Sequence, residues 1–154
     1  MEEYIAMKSD KKINFKIVTE ECVVYQDEID QVSIPTQVGE ITVLARHAPL
    51  VSLIKAGELR IKKGGSDGYE HILSLAGGVI EVRPNSEVII LADRAEYAED
   101  IDVDRAEKAR LRAQDMLLEK EVLSDMEYAS IQAVLEKEFN RVKVGKKYRK
   151  LKAH

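Results

Sequence analysis

The stretch Glu96-Tyr97-Ala98-Glu99-Asp100-Ile101-Asp102-Val103-Asp104-Arg105-Ala106 divides the chain into two kinds of sequence. Before it, short apolar runs are broken by turn residues. After it, a pattern free of proline, and of glycine as far as Gly145, proceeds at helical spacing. Asp102 stands where its carboxylate can accept from the first-turn amides of a helix, which makes it the expected N-cap. Arg105, Lys108 and Arg112 follow along one side over the next two turns, and acid ahead of base on a helix start can hold a phosphate-bearing ligand.

Upstream, Ile13, Phe15 and Ile17 alternate with Asn14 and Lys16, and Val32 and Ile34 alternate around Ser33 before Pro35, as half-buried strands do. Further runs lie at 41–44, 58–61, 70–75, 79–82 and 88–91. Between them Gly64-Gly65-Ser66-Asp67-Gly68, Gly77-Gly78 and Pro84-Asn85-Ser86 supply the backbone conformations that tight turns need. Many short strands without helical pattern between them predict an antiparallel β-sandwich or barrel.

Downstream, Ala106, Ala109, Ala113 and Met116 or Leu117 form the apolar stripe of a first helix that should run to about Val122. A stripe of alanine approaches a partner closely but buries little area, each Å² contributing only about 25 cal/mol. Ser124-Asp125-Met126-Glu127 reads as a capping box, with Leu123 and Tyr128 placed for a hydrophobic staple. Tyr128, Ile131, Leu135, Phe139 and Val142 form the stripe of a second helix that Gly145 should stop. So short a connection predicts an antiparallel hairpin, marginally stable by itself. The expected fold is thus α+β: an N-terminal antiparallel β-sandwich, or a barrel, followed by a C-terminal two-helix hairpin. The segments are a flexible arm at 1–12, the sandwich at 13–95, a linker at 96–101, the hairpin at 102–145 and a basic tail at 146–154.

Composition narrows the function classes. The 154 residues suit one compact domain or a small domain with an appendage, and 45% hydrophobic with 34% charged residues predicts a buried core beneath a charged, soluble surface. Apolar runs fall far short of the roughly 20 residues that span a bilayer, so membrane association is expected only through partners. The first ten residues are too acidic and too weakly apolar for a leader, and Met1 and Met7 are both open as start sites. Cys22 is the single cysteine, which excludes an internal disulfide; beside Val23 and Val24 it is expected to pack in a strand. His47, His71 and His154 share no ligand spacing, so no metal site is expected. A net charge of -4 predicts no general affinity for nucleic acid. Arg141, Lys143, Lys146, Lys147, Arg149, Lys150 and Lys152 nevertheless concentrate positive charge at the C-terminus, which should seek an acidic surface. No nucleophile motif and no glycine-rich phosphate loop is present, so the chain is read as non-catalytic.

From about residue 13 to 144 the chain resembles the epsilon subunit family of bacterial ATP synthases. The resemblance rests on Gly39-Glu40-Ile41-Thr42-Val43-Leu44-Ala45-Arg46-His47-Ala48-Pro49-Leu50, Lys55-Ala56-Gly57-Glu58-Leu59-Arg60-Ile61, Leu75-Ala76-Gly77-Gly78-Val79-Ile80-Glu81-Val82 and Val88-Ile89-Ile90-Leu91-Ala92-Asp93. Where the family usually has Pro-Gly this chain has Ala45-Arg46, so a different turn is expected there. The resemblance implies a rotor subunit of the central stalk, seated between the gamma subunit and the c ring on the cytoplasmic face of the bacterial cell membrane. Such a subunit couples ion transport to ATP synthesis, with proton or sodium left open as the ion. Its C-terminal helices would reach the catalytic alpha/beta head and inhibit ATP hydrolysis. Glu40 falls where the family faces the c ring, and His47 where it faces gamma.

Ile101-Asp102 followed by Arg105-Ala106 is similar to the family's signature for regulatory ATP. The same resemblance assigns Glu96, Arg112, Lys137 and Arg141 to that site, with Lys137 in place of an arginine and without its bidentate fork. Polyphosphate would clamp the two helices together, and without it the basic groups repel one another. The residues by themselves leave a plainer reading open, with Asp102 only a cap and the arginines a solvated face. A stand-alone nucleotide-sensing adaptor or interaction module is the alternative function.

Overall fold

The computed structural model describes residues 12–65, 68–119 and 122–153, and the chain divides into two units, Met1–Glu96 and Tyr97–His154. Apart from Lys12, the arm expected at 1–12 lies outside the described residues, as do Ser66 and Asp67 of the glycine-rich turn. Alternating apolar residues build the strands β1 (Ile13–Val18), β2 (Val23–Ile29), β3 (Gln31–Thr36), β4 (Gly39–Leu44), β5 (Leu50–Ile54), β6 (Gly57–Lys62), β7 (His71–Leu75), β8 (Gly78–Arg83), β9 (Glu87–Ala92) and β10 (Ala95–Tyr97). Hydrogen bonding runs β10-β7-β6-β3-β5-β8-β9-β1-β2, with β4 on the other edge of β3. Strand β3 turns the corner between the two layers: Gln31, Val32 and Ser33 pair with β6, while Thr36 pairs with Ile54 of β5.

All of the strand pairs for which a register is described are antiparallel except one, since β1 lies parallel to β9 with Phe15 beside Val88. Ile13, Phe15 and Ile17 of β1, Leu59 and Ile61 of β6, and Val88 and Ile90 of β9 point inward and are at most 1% exposed. Each such side chain contributes roughly 1.5–3 kcal/mol on burial, so this interior carries the unit.

Strands β5 and β10 were not anticipated, and β2 only at its start, through the strand expected around Val23 and Val24. Strand β2 buries only Tyr25 and Ile29 and otherwise carries Gln26, Asp27 and Glu28, as befits the sheet edge it occupies. The expected alternation in β3 is also corrected: Ser33 is buried with its neighbours, because its hydroxyl lies 2.9 Å from that of Thr42 on β4 and needs no water. Cys22 is exposed instead of packed in a strand. It closes the turn before β2, its carbonyl accepting from the Thr19 backbone amide at 2.9 Å.

The second unit holds a short 3-10 turn (Ala98–Asp100), α1 (Val103–Glu119) and α2 (Asp125–Lys152). Asp102 caps α1 as expected, accepting from the Arg105 amide at 3.0 Å. The Ser124 capping box is complete, with Glu127 N donating to Ser124 Oγ and Ser124 N to the Glu127 carboxylate. Val122 lies outside the first helix. The helices run antiparallel, since the start of α1 meets the far end of α2: Gly145 lies against Val103, and Tyr148 Oη donates to Glu99 Oε2 at 3.2 Å.

Gly145 does not stop the second helix. A Cβ there would lie 2.6 Å from Val103 Cγ2 and 3.2 Å from Ile101 Cγ2, so glycine admits the close approach of α2 to the start of α1. Arg149, Lys150 and Lys152 in the last turn favour continuation, being opposite in sign to the helix C-terminal dipole. What read as a basic tail is therefore largely helix. The expected stripe is corrected too: Phe139 is 58% and Tyr128 49% exposed, whereas Glu138, Val142 and Gly145 are buried. Among the described residues no helix is long and apolar enough to cross a membrane.

Candidate functional site

Six of the seven residues expected to form a nucleotide site lie on the second unit; Glu96 belongs to β10 and to the first. Ile101 is buried and packs against the position of Gly145, so it anchors the start of α1 and is no polar ligand. Asp102 is exposed and already used as a cap, which also fixes the Arg105 backbone. Arg105 and Arg112, seven residues apart, share one side of α1. Both are exposed, and neither guanidinium has a side-chain partner among the described residues.

On α2, Lys137 and Arg141 are brought together by a residue that sequence reasoning passed over. Glu138 is 4% exposed. Its Oε2 accepts from Arg141 Nη1 at 2.8 Å, and its Oε1 lies 3.3 Å from Lys137 Nζ. The signal for it was present: the steps from Ile131 to Leu135, Glu138, Val142 and Gly145 keep a three–four rhythm that the apolar Phe139 obscured. A similar pair lies on α1, where Arg110 Nη2 donates to Glu107 Oε1 at 2.6 Å. That hydrogen bond, ahead of the more distant charge of Lys146 on α2, holds the Glu107 carboxyl below its ordinary value.

Counting back from the meeting of Val103 with Gly145 sets position 138 level with 110, 143 level with 105 and 136 level with 112. At 1.5 Å per residue, Arg105, Arg112, Lys137 and Arg141 then fall within about 11 Å of helix axis. Two cations without a side-chain partner among the described residues on one helix thus stand at heights similar to those of two carboxylate-held cations on the other.

The two expected partner-contact residues lie on the sandwich. Glu40, exposed on β4, accepts from Arg60 Nη2, and Arg60 Nη1 also reaches Glu58 at 3.2 Å. Burial opposes the Arg60 charge, but the hydrogen bonds to Glu40 and Glu58 outweigh it and raise its pKa further. His47 is half-buried, and its Nδ1 donates to the Ala48 carbonyl at 2.7 Å. In the turn before it Arg46 takes φ 65°, the left-handed conformation that favours glycine, and its amide donates to Ser86 Oγ at 2.7 Å. A non-glycine residue held there costs on the order of 1 kcal/mol.

One further feature had no sequence signal, because it depends on register. Leu53, Val79, Leu91, Val18 and Val23 align as cross-strand neighbours through β5, β8, β9, β1 and β2. Leu53, Leu91 and Val23 are 60%, 58% and 48% exposed, so a continuous apolar row crosses the outer face of this layer.

Comparison with known proteins matches both units. Residues 12–98 fit the family model of the ATP synthase delta/epsilon chain β-sandwich domain, and residues 99–146 fit that of the delta/epsilon chain long α-helix domain. The ATP synthase epsilon chain of Dehalococcoides mccartyi is 42% identical over 139 residues, 90% of this chain and 96% of its own. That of Bacillus pumilus is 37% identical over 137 residues, 89% of this chain and 99% of its own. Among solved structures, a chain of the Euglena gracilis mitochondrial ATP synthase OSCP/F1/c-ring superposes with a TM-score of 0.69 at 22% identity, covering 82% of this chain and 76% of that one. A chain of the Tetrahymena thermophila mitochondrial ATP synthase central stalk and c-ring does so with a TM-score of 0.62 at 11% identity, covering 88% and 98%. At such identities the structural likeness carries the fold alone.

Proposed function

From the premise that the chain belongs to the ATP synthase epsilon chain family, and is a non-catalytic subunit of that machine, we propose that it is a rotor subunit of the central stalk whose sandwich binds its neighbours and whose hairpin senses ATP. The apolar row from Leu53 to Val23 is suited to the gamma subunit, because an unbroken apolar band is the surface that a lasting partner covers. Glu40 and its Arg60 partner present charge suited to the polar loops of the c ring, and His47 faces gamma. Through these contacts the subunit sits at the cytoplasmic face of the membrane and transmits rotation.

The hairpin regulates. Its basic C-terminal helix, extended to the catalytic alpha/beta head, meets acidic surface and opposes ATP hydrolysis. Bound ATP holds the two helices together and keeps the hairpin off the head. The observation that carries this reading is the placement of Arg105 on the Asp102-capped start of α1, within about two turns' rise of Lys137 and Arg141 on α2. Titrating the chain with ATP tests it. Saturable binding is expected in the wild type and its loss in Arg105→Ala; no saturable binding at millimolar ATP would refute the sensing role.

A further inference from the structure

We infer that Glu138 is an internal competitor of ATP, holding Lys137 and Arg141 as a phosphate would, so that a nucleotide gains those cations only by displacing it. This rests on the ATP-sensing reading above and specifies what sets the affinity of that site. The carboxylate uses both oxygens, Oε2 on Arg141 Nη1 at 2.8 Å and Oε1 on Lys137 Nζ at 3.3 Å. All three groups are largely removed from water, with side-chain exposures of 6% for Glu138, 28% for Lys137 and 21% for Arg141. Salt screens such a cluster less than it screens a surface pair.

The two sides of the site therefore differ in how they meet a phosphate. Arg105 and Arg112 are exposed and uncommitted to any side chain among the described residues, so they make the first contact. Arg141 is committed, and a phosphate oxygen can replace Glu138 Oε2 only by leaving a buried carboxylate short of a partner. Charge gives the same answer. Lys137, Glu138 and Arg141 together carry one net positive charge; removing the carboxylate makes it two. Glu138 thus sets a threshold: ATP closes on α2 only when its concentration is high enough to displace the resident anion.

The test is calorimetric titration of the full chain with ATP, comparing the wild type with Glu138→Gln, Glu138→Ala and Glu138→Gln combined with Arg141→Ala. ATP should bind both single variants about tenfold more tightly, the smallest gain expected when a charge-assisted hydrogen bond no longer has to be broken, and Arg141→Ala should cancel the gain. Binding by the variants but not by the wild type would also support the competitor while removing ATP sensing from the native chain. Wild-type binding with equal or weaker binding by both single variants would overturn the competitor and leave ATP sensing standing. Binding by none of them would end both. Far-UV circular dichroism checks that the helices survive. If a variant loses helix, recovery on adding ATP supports the inference, because phosphate has replaced the carboxylate, and failure to recover overturns it.

Discussion

In the sandwich, Ile13, Phe15, Ile17, Ile29, Ile34 and Leu59 are at most 1% exposed, whereas in the helical unit α1 buries one valine and two alanines, Val103, Ala106 and Ala113. The sandwich interior is large aliphatic surface locked by hydrogen-bonded ladders. The hairpin seam is small side chains, one glycine and the Lys137–Glu138–Arg141 cluster. At about 25 cal/mol per Å² the first arrangement gains far more per residue than the second. The difference between the two halves is written into side-chain size: large apolar residues fill the sandwich, and alanine and glycine line the hairpin.

The same glycine-to-alanine change should separate the halves most sharply. Gly78 has φ 139°, and a Cβ there would lie 2.2 Å from the Leu91 carbonyl oxygen, a backbone atom pinned in the β8–β9 ladder. Gly78→Ala should cost more than about 4 kcal/mol and leave the sandwich unable to fold, measured by urea denaturation and hydrogen exchange. Gly145→Ala meets side-chain carbons first, the Val103 and Ile101 Cγ2 methyls at 2.6 and 3.2 Å and Ile101 Cβ at 3.5 Å, and gains helix propensity in return. A loss of about 1–2 kcal/mol, confined to exchange of the helical amides, is expected. Equal damage from both changes would break the contrast.

Smaller effects sharpen the account of the sandwich. Asp30 accepts hydrogen bonds from Lys12 and, at 2.8 Å, from the Gly65 amide, and these hold its pKa below the ordinary 3.8 despite burial. A depressed carboxyl contributes stability that is complete above its unfolded pKa and disappears as pH falls through the folded value. Asp30→Asn should therefore cost about 1 kcal/mol at pH 7, after allowance for solvent screening, and almost nothing in strong acid, as thermal melts across pH 2 to 7 would reveal. Arg46→Gly should stabilise by about 1 kcal/mol by relieving the φ 65° turn. The expected rise in the sandwich melting temperature is about 4–8 °C, with helical amides unchanged.

Much of this molecule was legible in advance where one residue's chemistry sufficed. Asp102 and Ser124 announced their caps because a cap is a local hydrogen bond, β1 announced itself by alternation, and β6 and β9 did so as short runs bounded by turn residues. Edge strand β2 did so only at Val23 and Val24, since its later polar residues face water on a sheet whose edge only pairing defines. At the candidate site, Arg105 and Asp102 lay within one motif, but Glu138 sits 33 positions beyond Arg105 and is masked by Phe139 beside it. Gly145 looked like a helix stop because isolated glycine usually is one; only the neighbouring Val103 and Ile101 show it to be a contact.

Taken alone, the sequence determined the two-part architecture, the caps, the family and the absence of a catalytic motif, because periodicity, capping and motif spacing are properties of neighbours along the chain. Tertiary structure alone decided the apolar row across five strands, the parallel pairing of β1 with β9, the continuation of α2 through Gly145 and the capture of Lys137 and Arg141 by Glu138. Each of these depends on register, on which residues a fold sets side by side and which it removes from water, and no local pattern encodes that.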